Sequence, residues 1–308
     1  MIGFFECLKI SKAIFKTLIL TFFYHHPNIF VILFIYFSSM KKILLILFTV
    51  VFIMSCKTES KKEVLSPVTK DTSVDQIDLS KYPQGYQDVL AAHGGLSLWN
   101  TMQSLTFKLP KENGDEVHTT DLKTRDVVVE TEKYQIGSLN GKVWLAQDST
   151  YYPKNRARFY HNLMFYFYAM PFILADDGIV YSETASLEKD GISYPGIKIA
   201  YQSNVGDSPD DEYILYYHPE SKKMEWLAYT VTRGQGSKST DFHFIKYDKW
   251  QEVNGLLLPE ELTWYKTESN LPTEPRGKPR IFTNVDIDAS HMGANFYTMP
   301  DNGVYVDE

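Results

Sequence analysis

NRARFYHNLMFYFYAMPFILADDG, residues 155 to 178, interrupts a chain that otherwise reads as strand and turn. Its central part is long, apolar and free of Gly and Pro until Pro171, which predicts a helix from about Asn155 to Ala169. The aromatic residues Phe159, Tyr160, Phe165, Tyr166, Phe167 and Tyr168 surround that helix instead of forming one stripe. A helix that is apolar nearly all round is buried on most sides. The flanking strands must therefore wrap around it.

Those strands come as hairpins. SLTFKLP (104–110) meets EVHTTDLKT (116–124) across KENGD, and DVVVETEKYQIGSL (126–139) meets KVWLAQ (142–147) across Asn140-Gly141. SETASLE (182–188) and ISYPGIKIAYQ (192–202) flank Asp190-Gly191, while DEYILYYH (211–218) and KMEWLAYTVT (223–232) flank PESK. DFHFIKYDKWQEV (241–253) and LLLPEELTWYKTE (256–268) flank Asn254-Gly255, and PRIFTNVDIDA (279–289) adds a last strand before a tail with a helical turn near SHMGAN. Ahead of the strands, GYQDVLAAHGG (85–95) reads as a helix ended by Gly94-Gly95, with a short second helix through Leu96, Leu98, Trp99 and Met102. YILYYH, EWLAYTV and VWLA carry bulky apolar groups on both faces, so both faces are covered or one lines a cavity. The expected fold is mainly β (α+β): a curved antiparallel sheet of about 11 strands, a half-barrel with helices covering its concave face.

The amino terminus has another character. From Met40 the chain reads MKKILLILFTVVFIMSC, with two lysines, an apolar run from Ile43 to Met54, then Ser55 and Cys56. That is the n-region and h-region of an export signal. A single span from Ile29 to Met54 would place Lys41 and Lys42 near mid-membrane, at a cost of about 5 to 7 kcal/mol. Ile53-Met54-Ser55-Cys56 is similar to the lipobox of bacterial lipoproteins, which implies lipidation at Cys56. Phe and Ile fill 15 of the first 39 positions, a bias of translated AT-rich DNA, so residues 1–39 read as a mis-annotated extension. The domain reading is then 1–39 extension, 40–56 lipoprotein signal, 57–80 polar flexible tether and 81–308 one folded domain.

Beyond residue 56 the chain holds 26 basic and 37 acidic residues, a net charge of about −11. Nucleic acid is thereby an unsuitable partner, since phosphate binding needs clustered Lys and Arg. Cys7 and Cys56 are the only cysteines, so the body has no disulfide, thiolate nucleophile or Cys-based zinc site.

Catalytic signatures are missing as well. No G-x-S-x-G elbow occurs, and Gly206-Asp207-Ser208 runs into Pro209 in an acidic loop. GQGSKST (234–240) joins two strands and lacks phosphate-loop spacing. Asp207, Asp210, Asp211 and Glu212 could offer oxygen ligands to Ca²⁺ but lack EF-hand spacing, and Asp176-Asp177-Gly178 reads as a turn. Histidines 93, 118, 161, 218, 243 and 291 show no paired metal spacing; His93, at a helix end, is expected to have its positive form favoured by the helix dipole. No cofactor, metal or enzyme activity is expected.

Two resemblances complete the reading. AAHGGLSLWNTMQSLTF, the Tyr134-Gln135-Ile136-Gly137 and Val143-Trp144 pairs of segments, FYAMPFILADDG, VNGLLLPEEL and NFYTMPDNGVY are similar to an uncharacterised lipoprotein family of Bacteroidota over residues 81–308. The order of elements resembles the half-barrel of the lipoprotein carrier LolA and its receptor LolB. The carrier resemblance implies a concave apolar groove, with Tyr134, Trp144, Phe165, Phe167, Trp226, Phe244 and Trp264 as candidate lining residues. It further implies binding of a lipid, acyl chain or other apolar ligand; the lipobox at Cys56 makes the membrane the expected partner of an outer-membrane lipoprotein, and the segment after Cys56, which lacks the acidic run of surface export, favours the periplasmic side. A structural or interaction role with a packed interior, or an unrecognised hydrolase, are the alternatives.

Overall fold

Three tight turns carry both central residues at positive φ: Asn140 (51°) with Gly141 (75°), Asp190 (53°) with Gly191 (80°), and Asn254 (50°) with Gly255 (82°). That geometry matches the twist of the strands it joins, and Asn, Asp and Gly adopt it at least cost. The structure, a computed structural model, describes residues 77–202, 210–232, 238–293 and 295–306. The expected extension, the signal with Cys56 and most of the tether lie outside the described residues, as do Asp207 and most of GQGSKST.

Two helices open the described chain, α1 (Gln84–Ala92) and α2 (Leu96–Thr101). Five strands follow: β1 (Ser104–Leu109), β2 (Glu116–Asp121), β3 (Val127–Glu130), β4 (Tyr134–Leu139) and β5 (Lys142–Gln147). The stretch 126–139, expected as one strand, is thus two. Its turn uses no Gly or Asn; the Thr131 hydroxyl accepts the Lys133 and Tyr134 N–H groups and donates to the Tyr134 carbonyl. After the helical insert come β6 (Ile179–Lys189), β7 (Ile192–Tyr201), β8 (Glu212–Tyr217), β9 (Met224–Tyr229), β10 (His243–Val253) and β11 (Leu256–Glu268). Short strands finish the chain: β12 (Leu271–Pro275), β13 (Arg280–Ile281), β14 (Thr283–Asp288) and β15 (Gly303–Tyr305). The tail around SHMGAN forms turns, with no helix among its described residues.

The strands are antiparallel throughout and build a mainly β half-barrel, with 15 described strands where about 11 were expected. They form two ladders, β14-β1-β2-β3-β4-β5-β15 and β12-β11-β10-β9-β8-β7-β6, not one. Residues 280–288 join the ladders: β13 pairs with β11, and β14, two residues on, pairs with β1. Phe282 lies at the crossing, fully buried. Both ladders turn a face toward one core that takes Leu105 and Phe107 from β1, Ile199 from β7, Leu227 from β9 and Leu258 and Leu262 from β11.

Inside that core sits the insert, and it is not the single helix expected. It breaks into α3 (Lys154–Tyr160) and α4 (Leu163–Tyr168), then a 3-10 turn over Phe172–Ala175. Asn162, a residue that favours helix starts, occupies the break with φ −110° and ψ −3°, and a His161 ring nitrogen lies 2.6 Å from the Arg158 carbonyl. The break lets neighbouring aromatics face different walls. Tyr168 packs on Phe107 and Phe282, each with ring centroids 4.5 Å away, while Phe167 packs on Tyr229 and Trp264 at 5.1 and 5.7 Å. Phe159 and Tyr166 reach the surface, so the aromatic ring expected around one helix is buried on some sides only.

Every interruption leaves carbonyls that have no partner within a helix. At the end of α4 and in the 3-10 turn four tyrosine hydroxyls donate to such carbonyls or add to a partner already there: Tyr247 to Phe167 O (2.7 Å), Tyr86 to Pro171 O (2.9 Å), which also accepts the Leu174 N–H, Tyr181 to Leu174 O (2.5 Å) and Tyr82 to Ala175 O (3.0 Å). Burial keeps Tyr86 and Tyr247 protonated well above the ordinary phenol range, so they remain donors. Helix α1 is fixed in turn against the β10–β11 turn. A Cβ on Gly94 would lie 2.3 Å from the Gly255 carbonyl, and Leu257 N–H donates to His93 O at 2.9 Å.

The Tyr86→Phe variant removes one of the two donors to the Pro171 carbonyl, which keeps the Leu174 N–H at 3.1 Å. It is expected to lose about 0.5 to 1.5 kcal/mol, seen as a lower urea midpoint with an unchanged slope. Gly94→Ala, which combines the backbone clash with φ +102°, should cost more than Tyr86→Phe in the same measurement.

Candidate functional site

Where α3 and α4 meet the ends of β1, β8, β9 and β11, the side chains do not close. A cavity of about 360 Å³ remains, at the lower end of the range that ligand pockets occupy. Its apolar wall comes from Leu163, Met164 and Phe167 of the insert and from Tyr213, Tyr229 and Trp264 of the strands. The polarity of that wall is largely consumed internally: Trp264 Nε1 donates to the Tyr229 hydroxyl at 3.1 Å. Asp211, also in the lining, accepts the Thr232 N–H and hydroxyl at 2.6 and 2.7 Å.

Beside it lies a second, more polar hollow of about 970 Å³, bordered by the β1–β2 turn, Thr131 to Tyr134, and Lys278 to Arg280. Lys111 and Arg280 line both spaces.

Lys111 is anchored by Glu116, a carboxylate buried where β2 passes under α3. Four groups converge on Glu116: Lys111 Nζ at 2.5 Å, the Tyr160 hydroxyl at 2.5 Å, the Tyr134 hydroxyl at 3.0 Å and His118 Nε2 at 3.2 Å. Burial alone would raise the Glu116 pKa, but hydrogen bonds from His118, Lys111 and Tyr160 together with the Lys111 charge outweigh it and hold it at about 2. Burial pulls His118 below the ordinary histidine range despite the pull of Glu116 in the other direction. Burial and the neighbouring Glu116 charge raise Tyr160 and Tyr134. The carboxylate stays ionised and the phenols stay protonated, so this closed network ties β2, β4 and α3 to the Lys111 side of the cavity mouth.

Of the seven candidate lining residues, the cavity brings Phe167 and Trp264 together. Tyr134 borders the polar hollow, and Phe165 is core, its ring 5.3 Å from the Arg125 guanidinium. Trp144 packs with Val128, Ala146 and Tyr297 on the face of β5 opposite Val143 and Leu145, its indole N–H donating to Tyr297 O. Trp226 and Phe244 share a cluster with Tyr194 and Tyr216, while their strand neighbours Leu227 and Ile245 face the central core. These three therefore do not line this cavity: alternate residues of a strand face opposite ways.

Other sequence candidates are engaged elsewhere. Glu212 pairs with Lys198 at 2.8 Å, and Asp176 takes two hydrogen bonds from Arg125. His93 is fully buried against Trp250, and burial lowers its pKa to about 4; desolvation overrides the helix-end preference for its charged form. No group of three His, Cys, Asp or Glu among the described residues could hold a metal, and no helix among them is long and apolar enough to cross a membrane. Glu116 and Lys111 went unnoticed in the sequence. The available signal was Glu116 and His118 two apart in β2, hence on one face.

The chain belongs to a family of unknown function (DUF6503), whose match spans residues 41–269. No curated protein matches it. Among solved structures it is similar to a LolA superfamily protein from Nitrosomonas europaea at 7% identity, covering 64% of this chain and 89% of that one with a TM-score of 0.38. A DUF1329 family protein from Desulfovibrio piger is 10% identical, with 70% and 96% coverage and a TM-score of 0.43.

Replacing Glu116 with Gln gives a pH test. A carboxylate whose folded pKa lies near 2, against about 4.5 unfolded, stabilises the fold fully above pH 4.5 and loses that contribution as pH falls toward 2. The stability advantage of the native chain over Glu116→Gln should shrink across that window, as read by urea midpoints at successive pH values.

Proposed function

We propose that this protein is an envelope lipoprotein that binds an apolar ligand, an acyl chain or similar group, in the cavity beneath α4. The observation that carries the reading is the cavity itself. The half-barrel wraps a broken helix, yet a partly open, mainly apolar space of about 360 Å³ remains beside Phe167 and Trp264. Each methylene placed there contributes about 0.8 kcal/mol. Thus a chain of several methylenes binds without any strong polar contact.

Anchoring through a lipidated Cys56 belongs to the same reading. The apolar run to Met54, Ser55 and Cys56 supports it, and two or three acyl chains hold a protein on a bilayer without help from charge. The tether from residue 57 would then keep the cavity close to the membrane that supplies its ligand. Cys56→Ala should shift the protein from the membrane fraction to the soluble fraction; unchanged acylation and fractionation would refute the anchor.

The cavity is tested by photolabelling the full-length chain in its membranes with a diazirine-bearing acyl probe. Labelled peptides should include 163–168 and be displaced by unlabelled fatty acid. Val231→Trp, which puts a large side chain into the lining, should reduce labelling at least tenfold while far-UV circular dichroism is retained. Equal labelling of native and plugged chains would contradict the reading.

A further inference from the structure

The cavity's apolar wall ends at two cations. Lys111 is neutralised by Glu116 at 2.5 Å, but the Arg280 side chain makes no hydrogen bond or ion pair among the described residues and is exposed. Strand β13 places it through pairing with Leu262 of β11, so its backbone is held while its guanidinium is free. It lines both the apolar cavity and the polar hollow, and the hollow's border carries Lys111, Lys133, Lys278 and Arg280 against Glu112, Glu116 and Glu132. That border carries one more cation than anion; Lys278 pairs with Glu112 as Lys111 does with Glu116, and Asp211 in the cavity lining is held by Thr232, which leaves Arg280 as the cation at the junction with no ion pair among the described residues.

We propose that the ligand is an anionic amphiphile, whose tail lies against Phe167 and Trp264 and whose carboxylate or phosphate head meets Arg280 where the two spaces join. This rests on the apolar-cavity reading above and adds the head group to it. A guanidinium offers paired N–H donors that match either anion. A neutral amphiphile would leave Arg280 to water and gain nothing from it.

Three diazirine probes with one tail, a fatty acid, an alkyl phosphate and a fatty alcohol, are applied to the full-length chain in its membranes. Half-saturation of labelling in peptide 163–168 is the readout. The acid, the phosphate or both should half-saturate at about tenfold lower concentration than the alcohol, the difference narrowing as salt rises. Arg280→Gln should bring the anionic probes to the alcohol's value without changing the alcohol's. A preference confined to one anion supports the proposal and identifies the head. Equal half-saturation of all three probes, or an anion preference untouched by Arg280→Gln, overturns the head-group assignment and leaves the cavity standing. Absence of labelling by every probe in the folded chain overturns the cavity reading, and this inference with it.

Discussion

A buried backbone carbonyl needs a donor, and the central insert of this protein places several of them out of reach of water. Its end at Ala169 and its 3-10 turn leave carbonyls short of the partners that a continuous helix would have supplied. Tyr82 and Tyr86 from the amino-terminal segment, Tyr181 from β6 and Tyr247 from β10 answer them. These bonds come from elements far apart in the chain, so they fix the insert's position and the wrapping of the strands around it together.

The broken helix also sets the division of space inside the half-barrel. Tyr168 points toward Phe107 and Phe282 and packs into the central core; Phe167, one residue earlier, points toward Tyr229 and Trp264 and forms part of a wall with room beyond it. Tyr160, on the other side of the break, reaches Glu116 and Lys111. One helical interruption thus connects packing, an apolar cavity and an ionic network at its mouth.

Much of the β architecture was legible because Asn-Gly and Asp-Gly pairs mark hairpins by a conformational requirement that few other residues meet. The turn at Thr131 was not, since its conformation is set by a threonine side chain bonding to nearby backbone, which composition does not reveal. The link between the two ladders runs through two residues at 280–281 and Phe282, a signal too short for periodicity. For the candidate site, Phe167 and Trp264 were legible as bulky aromatics in apolar segments, but so were Trp144, Trp226 and Phe244. When both faces of a strand are covered, the alternation that would assign a side chain to one face disappears. Tyr134, Tyr160 and Lys111 converge on Glu116 from separate segments, an association that spacing cannot express.

The central claim is that the space beside Phe167 and Trp264 accepts an acyl chain. Met164 lines that space, whereas Met224 lies in the closed core and Met299 packs with the Trp144 cluster. With ¹³C-labelled methionine methyls, titration of a fatty acid should shift the Met164 resonance and give nuclear Overhauser contacts between its methyl and the ligand's methylenes, with Met224 and Met299 unmoved. Saturable binding of the fatty acid with the Met164 resonance unchanged would contradict the account.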